Sequence, residues 1–199
     1  MCNFLSGIVL PDGQVITSDY TDSHCDIILS QGIKDDGKHL PGRPLFAPVE
    51  CISDGGIFDW TTYKLNMDGN CERPMWFDDD MWVAVENTMK TRIKNMIIVT
   101  GERDILLGGR WLIGGDAKIK RVISSIILNV GGSASITNVG GNASITDVGG
   151  NASITNVGDN ASITDVRDSA SITNVWDNAS ITDVWDNASI TNDKRKKGE

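Results

Sequence analysis

Asn138-Val139-Gly140-Gly141-Asn142-Ala143-Ser144-Ile145-Thr146 is one copy of a nine-residue unit that runs head to tail through residues 129–191. Seven copies begin at Asn129, Asn138, Asp147, Asn156, Asp165, Asn174 and Asp183. In Ala143-Ser144-Ile145-Thr146 the apolar residues sit two apart, which is the period of a strand with one buried face. The β-branched Val, Ile and Thr, the Asn or Asp and the Gly-Gly pair all disfavour a helix. One unit alone buries only a Val, an Ala and an Ile, so copies must stack to make a continuous core, and the repeat predicts a β-solenoid. Gly140 and Gly141 suit a tight corner with positive φ.

Nine residues are too few to turn two corners and still pair a useful strand, so two units are expected per coil. The residue opening each unit alternates after the first copy: Asn138, Asp147, Asn156, Asp165, Asn174, Asp183, Asn192. An eighteen-residue coil stacks the aspartates in one column and the asparagines in the other. Recent duplication of an eighteen-residue segment would leave the same alternation.

Upstream the pattern is different. Residues 4–10 read as a buried strand, Pro11-Asp12-Gly13 as a hairpin turn and residues 14–18 as the returning strand. Thr21, Asp22 and Ser23 offer helix caps ahead of a short helix over residues 25–29 that ends near Gly32. Residues 34–48 read as a loop, and residues 49–52 and 58–65 as strands. Residues 79–95 have helical spacing with Trp82, Val85, Met89 and Ile93 on one face, and the aspartates at positions 78–80 favour that helix's N-terminus. Residues 96–100 are strand-like. Gly114-Gly115-Asp116-Ala117-Lys118-Ile119 already matches the repeat, so the coils begin by Ile105. The expected organisation is a small α+β domain over 1–100, a β-solenoid over 101–192 and a basic disordered tail over 193–199.

The chain has 199 residues and a net charge of -9. No run of about 18 apolar residues is present, so no membrane span is expected, and the N-terminus lacks the basic region of a secretory signal. These readings predict a cytoplasmic protein. Cys2, Cys25, Cys51 and Cys71 are too sparse for a disulfide scaffold and read as reduced thiols. A zinc site from His24, Cys25, Cys51 and Cys71 fits no ligand spacing, since His24 and Cys25 would face opposite ways on a strand. Adjacent Asp78, Asp79 and Asp80 cannot all converge on one ion. No metal and no cofactor are expected. Nucleic acid is disfavoured as a partner: there is no basic groove, and aspartates about 4.8 Å apart do not mimic phosphates along a strand.

Met1-Cys2-Asn3-Phe4, Thr21-Asp22-Ser23-His24, the Trp76-Phe77-Asp78 segment before a helix, and the Gly-Gly-x-Ala-x-Ile-like tail together resemble a family of uncharacterised bacteriophage and bacterial proteins. The resemblance implies this architecture and a phage or prophage setting, and transfers no catalytic role. The repeats also look like the calcium-binding nonapeptides of secreted toxins, which use two units per coil. Those place an Asp four residues after the second Gly, where this chain has Ile145, so calcium is not expected.

Three groups of residues are functional candidates. Removal of Met1 would leave Cys2 with its thiol beside its own α-amino group, the arrangement of N-terminal-nucleophile amidohydrolases, with His24 and Asp22 or Asp26 to orient a substrate. The bland alternative is a small buried hydrophobe near a terminus. Trp176 and Trp185 stand at the corner held by Gly140 and Gly149 in earlier copies, where indoles can cap the core or bind a partner. Together with the basic tail they predict a capped end and no open fibre. Rows of Ser144- and Thr146-type hydroxyls resemble ice-binding solenoids, yet any exposed strand prefers such residues. The leading expectation is a non-enzymatic, phage-associated protein whose acidic solenoid serves as spacer, assembly surface or binder of an unknown host or phage protein. A Cys2-dependent amidohydrolase is the chief alternative.

Overall fold

A computed structural model describes residues 5–33, 45–69 and 71–195. The chain divides into two compact units, Met1–Asn95 and Met96–Glu199. The first combines a sheet with helices and the second is a parallel β-solenoid of about five turns. No helix among the described residues is long and apolar enough to cross a membrane.

In the first unit, β1 (Leu5–Val9) and β2 (Val15–Thr17) make the hairpin, with Gly13 at φ +84° and Asp12 Oδ1 accepting the Gln14 N–H at 3.0 Å. Then come α1 (His24–Ser30), β3 (Ala47–Ser53), β4 (Tyr63–Met67) and α2 (Asp79–Met96). The sheet is antiparallel in the order β2-β1-β3-β4. Every residue of β1 is buried because both faces are covered. Ile8 packs with Ile27 and Ile28 of α1, while Gly7 leaves room for the Met89 sulfur of α2, which a Cβ would meet at 3.2 Å. Val85, Met89 and Ile93 form the buried stripe of α2, as helical periodicity requires.

Helix ends follow local chemistry. Ser23 Oγ accepts the Asp26 N–H at the start of α1, and Gly32 at φ +64° lets the Ile33 N–H close on Ile28 O at 3.1 Å. At α2, Asp78 Oδ1 accepts the Met81 N–H at 2.9 Å, and Asp79 pairs with Arg73 at 2.9 Å. Trp82, on the same stripe as Val85, is only partly buried and lies 5.3 Å from the Phe77 ring, with the Arg73 guanidinium 5.0 Å from its own.

Some sequence readings need correction. Residues 58–65 are not one strand: Asp59 accepts the Thr61 N–H and hydroxyl, which folds Trp60–Thr62 into a 3-10 turn before β4 begins. The loop read over 34–48 falls partly outside the described residues, and by Ala47 the chain is already in β3, with Pro48 opposite Ile8. His24 and Cys25 open a helix and are not strand neighbours.

The second unit starts with β5 (Ile97–Ile98), β6 (Glu102–Arg103), β7 (Leu106–Leu107), β8 (Arg110–Ile113) and β9 (Lys118–Ile123). The regular strands are β10 (Ile126–Val130), β11 (Ser135–Gly140), β12 (Ser144–Val148), β13 (Ser153–Val157), β14 (Ser162–Val166), β15 (Ser171–Val175), β16 (Ser180–Val184) and β17 (Ser189–Asp193). They alternate between two parallel sheets, β16-β14-β12-β10-β8-β5 and β17-β15-β13-β11-β9-β6, with β7 also beside β9. Ile145 pairs with Ile163 and Ile154 with Ile172, so each coil takes eighteen residues.

Every unit before the last coil buries the same trio of Ala, Ile and Val. Ala143, Ile145 and Val148 are 0% exposed, and Thr146 and Asp147 between them both turn away from the core. The opening residues stack as expected: Asn156 Nδ2 donates to Asn138 Oδ1 at 2.8 Å and Asn174 Nδ2 to Asn156 Oδ1 at 2.9 Å, while Asp147, Asp165 and Asp183 share the opposite column. At the corners, positive φ is not confined to glycine. Gly141 and Gly150 hold it at +62° and +63°, but Asp159, Asp168, Asp177 and Asp186 take over in later coils at 53° to 59°. An Asp tolerates this region because its short side chain finds a local donor. Here the donor lies one coil back: Asp159 and Asp168 accept the Gly141 and Gly150 N–H groups, both at 2.7 Å.

Candidate functional site

His24 is nearly fully buried at the first position of α1, and both ring nitrogens are engaged. Nδ1 lies 3.0 Å from Asp68 Oδ2 and Nε2 lies 2.9 Å from Val49 O. The ring therefore ties α1 to β3 and to the segment after β4. The carboxylate on Nδ1 is that of Asp68, and Asp26 accepts from Thr21 Oγ1 at 3.2 Å. Cys2 lies outside the described residues. The geometry shows His24 as a latch, a role that Asp68, 44 positions away in the chain, makes invisible to local sequence reading.

The other thiols differ in setting. Cys25 and Cys71 are exposed and Cys51 is buried in β3. Burial, with Glu86 adding to it, pushes the Cys51 thiol up to about 12, and burial together with Asp68 raises Cys71. Burial raises the neighbouring Tyr63 phenol as well. A thiol reagent at neutral pH should therefore label Cys25 and Cys71 in the native protein and reach Cys51 only after denaturation. Mass spectrometry of pulse-labelled peptides checks this. The pH dependence has a definite sign. Unfolded, Cys51 titrates near its ordinary 9, whereas folded it keeps its proton to about 12. The native state binds more protons in that window, so stability falls as pH rises through it, by up to about 1.4 kcal/mol per pH unit for one thiol. Urea midpoints from pH 8.5 upward should fall more steeply for the native sequence than for Cys51→Ala.

On the solenoid, the corner positions form two columns along the axis. One runs Ile123, Gly140, Gly158, Trp176 and the other Gly131, Gly149, Arg167, Trp185. The large side chains lean back onto earlier coils. A Cβ on Gly158 would meet Trp176 Nε1 at 2.3 Å, so the indole occupies the space that Gly158 leaves open. Arg167 lies over Gly149 and forks onto Asp147 through Nε at 2.8 Å and Nη2 at 2.5 Å. Trp185 Nε1 donates to Asp165 Oδ1 at 3.2 Å.

The part of the expected cap assigned to the indoles is thus corrected, while the basic tail beyond Arg195 lies outside the described residues. Neither indole covers the last coil, in which Ile181, Ala188 and Ile190 are only partly buried and Val184 is 44% exposed. Among the described residues, Arg195 reaches that edge, donating to Ile181 O at 3.4 Å.

The first column leaves an open groove of about 310 Å³ between Arg121 and Trp176, floored by Gly140 and Gly158 and walled by Asn138 and Asn156. Trp176 was visible in the sequence as an oddity; Arg121 and the two asparagines became neighbours only through the eighteen-residue stacking. Among the described residues no three His, Cys, Asp or Glu side chains converge as metal ligands. Comparisons with protein-family models, with curated proteins and with solved structures gave no match.

Proposed function

We infer that this is a non-enzymatic binding and assembly protein, its acidic solenoid acting as a rigid arm that presents a fixed surface to a protein of a phage or its host. The observation that carries the reading is the disposition of the polar side chains. In the solenoid they are held in ladders, such as Asn138-Asn156-Asn174, that keep one surface over successive coils. Binding to a surface already ordered loses little side-chain entropy. In the first unit, the one histidine among the candidate catalytic residues is engaged at both nitrogens. The phage setting rests on the sequence resemblance alone.

The test is capture from an extract of the native host by the intact chain and by variants. Lysines placed at exposed Thr146 and Thr164 on one sheet, or Thr155 and Thr173 on the other, should abolish capture from one side while leaving the circular dichroism unchanged. Cys2→Ala should capture as the native protein does. Removal of Met1, selective labelling of Cys2 and turnover of an amide substrate would replace this reading with the amidohydrolase.

A further inference from the structure

We propose that the groove between Arg121 and Trp176 binds an uncharged pyranose oligosaccharide, a proposal that rests on the reading of the chain as a binding protein. The column Ile123, Gly140, Gly158, Trp176 has no side chain of its own at two successive rungs, where the Trp176 indole leans over Gly158 and the Asp159 carboxylate lies beside Gly140, so both groups face the groove. Two coil steps of about 4.8 Å separate Ile123 from the indole over Gly158, which makes the notch roughly 10 Å long, room for about two sugar rings of an oligosaccharide.

The backbone of the groove has little to offer a peptide. Gly158 N–H donates to Val139 O at 3.0 Å and Gly141 N–H to Asp159 Oδ2 at 2.7 Å, while Gly141 O and Gly158 O accept from Asn160 and Ala161. The strands that lead into it, β11 and β13, are interior to their sheet, so no edge is open for strand addition. Recognition falls to side chains. Asn156 uses one of its two amide N–H groups in the ladder, which leaves the second for a ligand. Asp159 uses Oδ2 on Gly141, leaving Oδ1 as an acceptor, and Arg121 lines the groove with its charge also felt by Asp104, whose close ion-pair partner is Lys120. A guanidinium fork and a carboxylate each match the spacing of vicinal hydroxyls. The indole of Trp176, 37% exposed, supplies an apolar surface for the C–H side of a sugar ring. An anionic ligand is disfavoured, because Asp159 lines the same groove and the chain carries -9. At the opposite corner the side chain that leans back over a glycine is Arg167, which is bound to Asp147 and presents no indole face.

Titration of the full chain with maltotriose, cellotriose and triacetylchitotriose, followed by calorimetry and by amide NMR shifts, tests this. Saturable binding of at least one trisaccharide at millimolar concentration is expected. Trp176→Ala and Arg121→Ala should each weaken it tenfold or more, and Trp185→Ala should leave it unchanged, with melting curves showing which variants fold. The absence of saturable binding by all three sugars overturns the proposal, as does binding that survives both Trp176→Ala and Arg121→Ala. A peptide or host protein that shifts the groove amides while the sugars do not would overturn the sugar site and leave the binding-protein reading standing.

Discussion

Replacing Ile154 with Asp is expected to unfold the array around it. Ile154 is 1% exposed and sits in one column with Ile136 and Ile172. The change forfeits the burial of a whole aliphatic side chain, about 2 to 3 kcal/mol, and places an unpaired carboxylate in a core one side chain thick. Together these exceed roughly 5 kcal/mol, enough to detach neighbouring coils in a structure whose stability is a sum of nearest-neighbour contacts. Hydrogen exchange should show protection lost in β11 to β17, with β1, β3 and α2 still protected. Ile154→Val removes one methylene and should cost only about 1 kcal/mol, while Thr155→Asp on the exposed side of the same strand should be near neutral. An Ile154→Asp protein that melts within a few degrees of the native one would show that the inward column is not the core.

Gly115→Ala is the second large effect, and it separates two reasons for glycine. Gly115 has φ +57°, and a Cβ there would lie 2.1 Å from Val99 O, a backbone atom with no rotamer to escape into. Gly32 has φ +64° with nothing within 4 Å. Gly32→Ala therefore measures the left-handed conformation alone, about 1 kcal/mol. Gly115→Ala adds a backbone clash at the corner between β8 and β9 and should cost roughly 3 kcal/mol or more. Thermal melts of the two variants decide it: equal losses would mean that the Val99 carbonyl moves aside freely.

The contrast between these glycines marks what sequence reading reaches. Strand period, coil length and inward trio were legible because each depends on residues two, nine or eighteen apart in a nearly exact repeat. The Asn and Asp columns were legible for the same reason. The Asp159-type corners were not. They look like departures from the Gly-Gly rule until the carboxylate is seen to hold the N–H one coil back. Trp176 and Trp185 stood out, but the sequence has no way to tell an indole leaning onto the preceding coil from one folded over the end. In the first unit the pairing of His24 with Asp68 depends on how the sheet brings distant segments together. The 3-10 turn at Trp60–Thr62 was within reach, since Asp59 two residues before Thr61 is a common turn signal.

The eighteen-residue coil built from nine-residue units has an evolutionary consequence. Near-identical units invite unequal recombination, and the fold tolerates gain or loss of units because every interface is like the next. Parity nevertheless matters. Loss of residues 147–164 removes a full coil, and with it the groove residues Asn156, Gly158 and Asp159, but leaves every later residue on its own side. Loss of 147–155 alone carries Asn156, Gly158 and Trp176 to the opposite sheet, away from Arg121 and Asn138, while the buried trios still stack. Such a protein should melt much like the native one yet lack the corner groove. A step of two units then keeps every remaining residue on its own sheet, and a step of one exchanges the two surfaces beyond it without a change of fold.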